Sequence, residues 1–114
     1  MQRKIPAHTL PVTSQADIVF RDMQSEVREY LTYNGWRNGD TRMAEYVALL
    51  HSEASEILEE WRNHNEAEMH LEFADVLIRL LDMCDLYGIN LALAYRAKMD
   101  RNWTRPYQHG GRTL

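Results

Sequence analysis

Two pairs of acidic residues stand one helical turn apart in the middle of the chain. Glu53 is followed by Glu56, and Glu72 is followed by Asp75, each pair at a spacing of three positions. Residues at that spacing lie on the same face of a helix, so each pair sets two like charges side by side. If the two helices pack together, four carboxylates converge and a divalent cation removes their repulsion. Mg²⁺ prefers oxygen ligands and is often held by carboxylates together with the phosphates of a substrate.

A single pair of this kind is more often a solvated helix face. Acids one turn apart commonly pair with nearby cations, as Glu59 and Arg62 are placed to do. The second pair differs because its helix is apolar on almost every side. Its only polar stripe consists of Glu68, Glu72, Asp75, Arg79 and Asp82. Because buried carboxylates are costly unless they are paired or bound to metal, this stripe lines either solvent or a charged site.

The kind of metal follows from the ligand types. A di-iron or di-manganese bundle typically uses Glu-x-x-His on two helices, and that spacing is absent from this sequence. A site made only of carboxylates favours Mg²⁺ or Mn²⁺ over iron or zinc. The sequence therefore predicts Mg²⁺ as the cofactor, with Mn²⁺ as a substitute.

Helical periodicity and capping residues predict four helices. The predicted ranges are 14 to 34, 40 or 41 to 62, 65 to 87, and 90 to 102, with caps at Ser14, Asp40 or Thr41, Asn65 and Asn90. Short connections between four amphipathic or apolar helices indicate an all-α four-helix bundle. The predicted organisation is an extended arm over residues 1–13, one helical domain over residues 14–104 and an irregular tail over residues 105–114.

The acid motif resembles the signature of a known family. Glu53-x-x-Glu56, fifteen intervening residues and then Glu72-x-x-Asp75 are similar to the motif of the MazG-like all-α nucleoside triphosphate pyrophosphohydrolases. A later block, Lys98-Met99-Asp100-Arg101-Asn102 with Arg105-Pro106 and His109-Gly110-Gly111, resembles the closing segment of many of these proteins. The likeness covers roughly residues 34 to 112. One departure is Ala74, where the family commonly has Gly or Ser before the Asp, and alanine is also small.

The resemblance implies hydrolysis of a nucleoside triphosphate to a monophosphate and pyrophosphate, a reaction of nucleotide-pool housecleaning. Glu53, Glu56, Glu72 and Asp75 match the metal ligands of the family. The ions would draw charge from the triphosphate and lower the pKa of the attacking water. A carboxylate not fully occupied by metal, Glu53 or Glu56, would orient that water or take its proton.

Candidate substrate contacts lie near the acids and in the loop before them. Arg79, one turn beyond Asp75, either contacts a phosphate or neutralises Asp75 and Asp82. Trp36 is a candidate for stacking on the base, since relatives that hydrolyse dCTP have a Trp at a similar position, or it plugs the end of the bundle. Trp61 belongs to an apolar stripe and is expected in the core.

Further phosphate or base contacts are predicted in the C-terminal block. Lys98 and Asn102 are four residues apart and match the Lys and Asn of the family segment. Lys98 supplies a cation for phosphate and Asn102 an amide for phosphate, sugar or base. Arg105 is an additional phosphate candidate. The alternative for Lys98 and Asn102 is an exposed surface pair.

Composition limits the remaining possibilities. The 114 residues carry a net charge of −4, which argues against a nucleic-acid partner, and no apolar run is long enough to span a membrane. One cysteine and no signal peptide favour the cytoplasm.

The apolar third helix is hard to cover in one small bundle, which predicts a homodimer or homotetramer. Besides the nucleotide hydrolase, two other functions stay open: a non-catalytic helical interaction module and a carboxylate-bridged metal oxidoreductase.

Overall fold

Four helices connected by short loops make up the computed structural model, which describes residues 15–37 and 42–106. They are α1 (Gln15–Tyr33), α2 (Met43–Arg62), α3 (Glu66–Leu86) and α4 (Leu91–Trp103). Within those two ranges there is no strand, so the prediction of an all-helical chain with four helices is confirmed. The predicted arm, Asp40, Thr41 and the last eight residues of the tail lie outside the described residues.

The helices are layered around α3. α3 packs most extensively on α2, to which a three-residue turn joins it, and it also packs on α1, while α4 packs on α1. The buried core lies between α1 and α3 and consists of Val27, Leu31 and Leu81, with Phe20, Met23, Leu77 and Leu91 against it. Among the described helices, α1 is therefore the one that packs on the α2–α3 hairpin, and it does so through α3.

The helix ends follow the local sequence at most positions. Asn65 and Asn90 cap α3 and α4 as predicted, each accepting a bond from a backbone N–H of the first turn. The structure places the N-cap of α2 at Arg42, whose side chain makes no capping bond, rather than at Asp40 or Thr41. Gly35 ends α1 and Gly88 ends α3 with positive φ of 74° and 67°, the backbone form that glycine adopts at low cost.

The other described residues cover the apolar surface of α3 only in part. Leu71 is 58% exposed and Phe73 is 56% exposed, whereas the buried part of α3 begins at Leu81. Trp61, which was expected in the core, is 63% exposed. In the described part of the chain, no helix combines the length and apolar character needed to cross a lipid bilayer.

Candidate metal centre

The α2–α3 hairpin brings the four predicted carboxylates to one place. Glu56 and Glu72 lie about two helical turns from the connecting loop on their own helices, and Glu53 and Asp75 lie about one turn further away. The register is therefore symmetric about the turn. Each of the four residues offers a carboxylate oxygen, these oxygens all lie within 4.8 Å of one another, and the four residues are half-buried. This oxygen-only group has the size and ligand chemistry of a divalent-cation site.

The electrostatics of the cluster are unfavourable without a cation. A hydrogen bond with Glu56 raises the pKa of Glu72 to about 7, and desolvation and the charges of Glu56 and Asp75 act in the same direction. Burial, followed by the hydrogen bond and charge of Glu56, also raises the pKa of Glu53. In addition, Oε2 of Glu72 is buried and makes no hydrogen bond within the described residues. A buried carboxylate oxygen without a partner, on a residue of the cluster, fits a bound cation, which would serve as its missing partner.

Arg79 compensates part of this charge, but at a different acid from those considered in the sequence. Its Nε lies 3.3 Å from Oε1 of Glu53. This pairing lowers the pKa of Glu53 and so opposes the effect of burial. The ion pair of Arg79 joins α3 to α2, whereas the sequence suggested Asp75 and Asp82 of its own helix as the acids it neutralises. The side chain is 30% exposed, so solvent or a ligand still reaches it.

A pocket of about 350 Å³ opens beside the cluster. Acids of the metal centre and Arg79 form one side, and aromatic and aliphatic side chains of α1 and the following loop form the other. Its lining consists of Tyr30, Leu31, Trp36, Glu53, Asp75, Ile78, Arg79 and Asp82. Trp36 is 68% exposed, so it does not plug the end of the bundle. A concave site of this size with an aromatic wall and a few polar groups suits a small organic ligand.

The candidates of the C-terminal block lie away from this pocket. Lys98 is exposed and Asn102 is half-buried on α4, Arg105 follows α4, and none of the three lines the pocket. Neither Lys98 nor Asn102 belongs to the acid cluster or the pocket lining, and α4 packs on α1 rather than on the α2–α3 hairpin. Their assignment to the substrate stays a prediction, and it requires a second copy of the chain.

Two pocket-related residues were missed in the sequence. Tyr30 belongs to the apolar periodicity of α1, which carries no chemical signal. Arg37 pairs with α3, where its Nε donates to Oδ1 of Asp82 at 2.8 Å and its Nη1 to Oδ2 of Asp85 at 3.2 Å. Asp82 is 2% exposed, so the polar stripe of α3 ends in a buried ion pair. No local pattern reveals a pair of residues so far apart in sequence.

Comparison of the chain with models of protein families, with curated proteins and with solved structures finds no match in any of the three. Fold and site nevertheless define a class in structural terms. The chain is an all-helical protein of four helices whose central hairpin carries a four-carboxylate cluster able to hold a metal ion.

Proposed function

We propose that the chain is a Mg²⁺-dependent nucleoside triphosphate pyrophosphohydrolase. One observation carries the proposal: the four-carboxylate cluster adjoins a pocket that is lined by the guanidinium of Arg79 and the exposed indole of Trp36. Carboxylates bind Mg²⁺, a guanidinium binds phosphate, and an aromatic ring stacks on a base. A nucleotide is the ligand class that uses all three.

Glu53, Glu56, Glu72 and Asp75 would hold the ion. When bound, Mg²⁺ would neutralise part of the charge of the triphosphate and acidify the water that attacks it. The pocket lining includes three carboxylates, from Glu53, Asp75 and Asp82, which repel a polyanion. Binding of the triphosphate is therefore expected to depend strictly on the cation.

The chain's own residues then bind and orient the reactants. The oxygen of a water molecule forms a bond to the α-phosphorus, the bond from that phosphorus to the oxygen bridging to the β-phosphate breaks, and pyrophosphate leaves. The carboxylate of Glu53 or Glu56 accepts the proton of the water. Arg79 holds Glu53 in place through its 3.3 Å ion pair and is exposed enough to meet a phosphate oxygen. The products are a nucleoside monophosphate and pyrophosphate.

The direct test is a panel of canonical and modified nucleoside triphosphates, ribo and deoxy, incubated with Mg²⁺. Monophosphate and pyrophosphate are measured together and are expected in equal amounts. Glu53→Gln keeps the shape of the side chain but removes its basicity, so we expect the rate to fall at least about a hundredfold. Glu59→Gln is the matched control, because Glu59 is an exposed acid of the same helix outside the cluster.

Two results would overturn this mechanism. One is orthophosphate as the only product, which would move the attack away from the α-phosphorus. The other is full activity in Glu53→Gln.

A non-catalytic helical interaction module is the alternative that one observation favours, namely the exposed apolar residues of the hairpin. Leu58, Trp61 and Leu71 are 47%, 63% and 58% exposed. If the acids only solubilise such a surface, Mg²⁺ leaves the melting temperature unchanged. If they form a metal site, Mg²⁺ raises it by mass action. The presence or absence of that shift separates the two functions before any substrate is known.

A further inference from the structure

The backbone of Trp36 is held from the N-terminal side by the end of α1. Gly35 adopts φ of 74°, and the N–H of Trp36 donates to the carbonyl of Leu31 at 2.9 Å, while the N–H of Gly35 donates to Thr32 at 3.1 Å. These two bonds form a Schellman motif, a well-defined helix ending. The side chain of Trp36 is 68% exposed, however, so packing within the chain contributes little to its position.

The next residue provides a second anchor. The guanidinium of Arg37 donates to Oδ1 of Asp82 at 2.8 Å and to Oδ2 of Asp85 at 3.2 Å, both on α3. The Arg37 side chain is 14% exposed, and that of Asp82 is 3% exposed. The backbone of Trp36 thus lies between a helix end and a buried ion-pair network. Asp82 itself lines the pocket that Trp36 borders.

A buried ion pair of this kind contributes little net stability, because desolvation of the two charges offsets most of their attraction. What a planar guanidinium does provide is direction, since its donors meet carboxylates in a fixed geometry. We propose that Arg37 is a positioning residue, which holds the indole of Trp36 at the mouth of the pocket and so sets the affinity for the base of the substrate. The role in affinity rests on the proposed function, whereas the positioning of Trp36 does not.

The positioning is tested first, without any nucleotide. The chain is labelled with 5-fluorotryptophan, and its three ¹⁹F resonances are assigned with single Trp→Phe variants. In Arg37→Met we expect the Trp36 resonance to move toward the solvent-exposed position and sharpen, while the resonances of Trp61 and Trp103 stay unchanged. Arg28→Met is the matched control, because Arg28 also bonds to Asp85, at 2.9 Å, but lies on α1, away from Trp36 in sequence, and does not bond to Asp82. It is expected to leave all three resonances in place.

The consequence for binding is tested by steady-state kinetics on the substrate found in the nucleotide panel. Arg37→Met is expected to raise KM about five- to tenfold with kcat within twofold, the pattern of an interaction equal in ground and transition states. Arg37→Lys keeps one charge but cannot bridge both acids, so an intermediate KM is expected. In a Trp36→Ala background, Arg37→Met should change KM by less than about twofold, since the positioned group is gone.

Three outcomes would overturn the proposal. The first is an unchanged Trp36 resonance in Arg37→Met. The second is an equal rise of KM in Arg28→Met, which would indicate a general loss of structure. The third is an undiminished effect of Arg37→Met in the Trp36→Ala background. If Arg37→Met does not fold, Arg37→Gln and Arg37→Lys replace it in the same measurements. An absence of nucleotide turnover in the wild type refutes the proposed function, and the ¹⁹F result then still decides the positioning of Trp36.

Discussion

The crowding of the acid cluster is visible in the pKa of Glu72. Its pKa is raised to about 7 by the hydrogen bond with Glu56, by burial and by two neighbouring charges. One of its oxygens is buried without a partner among the described residues. The ion-free protein therefore keeps a proton on Glu72 under conditions where an ordinary glutamate is ionised, and a cation must displace that proton to bind.

The affinity for Mg²⁺ is expected to depend on pH through this residue. Below about pH 7 the proton competes with the metal, so the dissociation constant for Mg²⁺ should be about tenfold lower at pH 8 than at pH 6. Calorimetric titration at both values measures it, with a buffer of known ionisation enthalpy to count the released proton. An affinity that does not change between these values, with no proton released, would contradict the assignment.

The affinity for Mg²⁺ should rise with pH, whereas the stability of the metal-free protein should fall with pH. Between the ordinary pKa of 4.5 and about 7, folded Glu72 binds more protons than unfolded Glu72. The free energy of unfolding of the ion-free protein is therefore expected to fall as the pH rises through this interval. In Glu72→Gln this decrease should be weaker, the melting temperature without metal should be higher at pH 8, and the shift caused by Mg²⁺ should disappear. Thermal unfolding with and without a chelator measures all three.

At this scale the sequence revealed the acids but not their partners. The four carboxylates were predictable because spacing alone places each pair on one helix face. The pairing of Arg79 with Glu53 depends on the rotation of α2 relative to α3, and the pairing of Arg37 with Asp82 depends on the path of a loop. Neither pairing can be predicted from a local sequence pattern.

The turn between α2 and α3 is the element that sets the geometry of the centre. It has the same ending as α1 and α3, but its left-handed residue is His64, with φ of 56°, instead of glycine. The bond that closes it runs from the N–H of Asn65 to the carbonyl of Glu60 at 3.0 Å. A side chain with a Cβ in this conformation is strained relative to glycine.

His64→Gly is therefore expected to raise the free energy of unfolding by up to about 1 kcal/mol, because relief of the strain exceeds the added entropy of the unfolded chain. Gly88→Ala provides the opposite case. A Cβ at Gly88 meets no atom within 4 Å, so only its φ of 67° opposes the substitution, and a loss of about 1 kcal/mol is expected. Urea unfolding measures both variants. Destabilisation by His64→Gly would mean that the imidazole makes a contact worth more than the strain.

Most element boundaries were predictable from capping residues, since Asn65, Asn90 and Gly88 act as their types suggest. The start of α2 was not, because Arg42 caps the helix without a side-chain bond, and such a position leaves no compositional signal. The pattern also did not show which apolar residues of α3, such as Leu71 and Phe73, stay exposed. Hydrophobic periodicity indicates which side chains are stabilised by burial. It does not indicate whether the other helices of the same chain bury them.

At the scale of the whole molecule, an apolar stripe along α2 is not covered by any of the residues that the structure describes. Val47, Leu58 and Trp61 share one face of the helix and are 38%, 47% and 63% exposed. We expect a second copy of the chain to cover this stripe, as the prediction of a homodimer or homotetramer requires. In such an assembly Lys98 and Asn102 of a neighbouring copy would be available to the pocket.

Light scattering at micromolar concentration should give the mass of a dimer or tetramer for the wild type. Leu58→Glu places a charge in the middle of the stripe and is expected to shift the protein toward the monomer. Tyr33→Glu, at a position of α1 that is 88% exposed, is the control and should keep the assembly. A monomeric wild type would refute the oligomer and leave Lys98 and Asn102 without access to the site.

The three-residue turn also makes the centre sensitive to chain length. All four acids lie on one hairpin, so a single inserted residue between Asn63 and Asn65 would rotate α3 by about 100° relative to α2 or shift it along the helix axis. Either change would separate the two pairs while leaving every glutamate and aspartate intact. A one-residue insertion or deletion at the turn is therefore expected to abolish metal binding as completely as substitution of the acids.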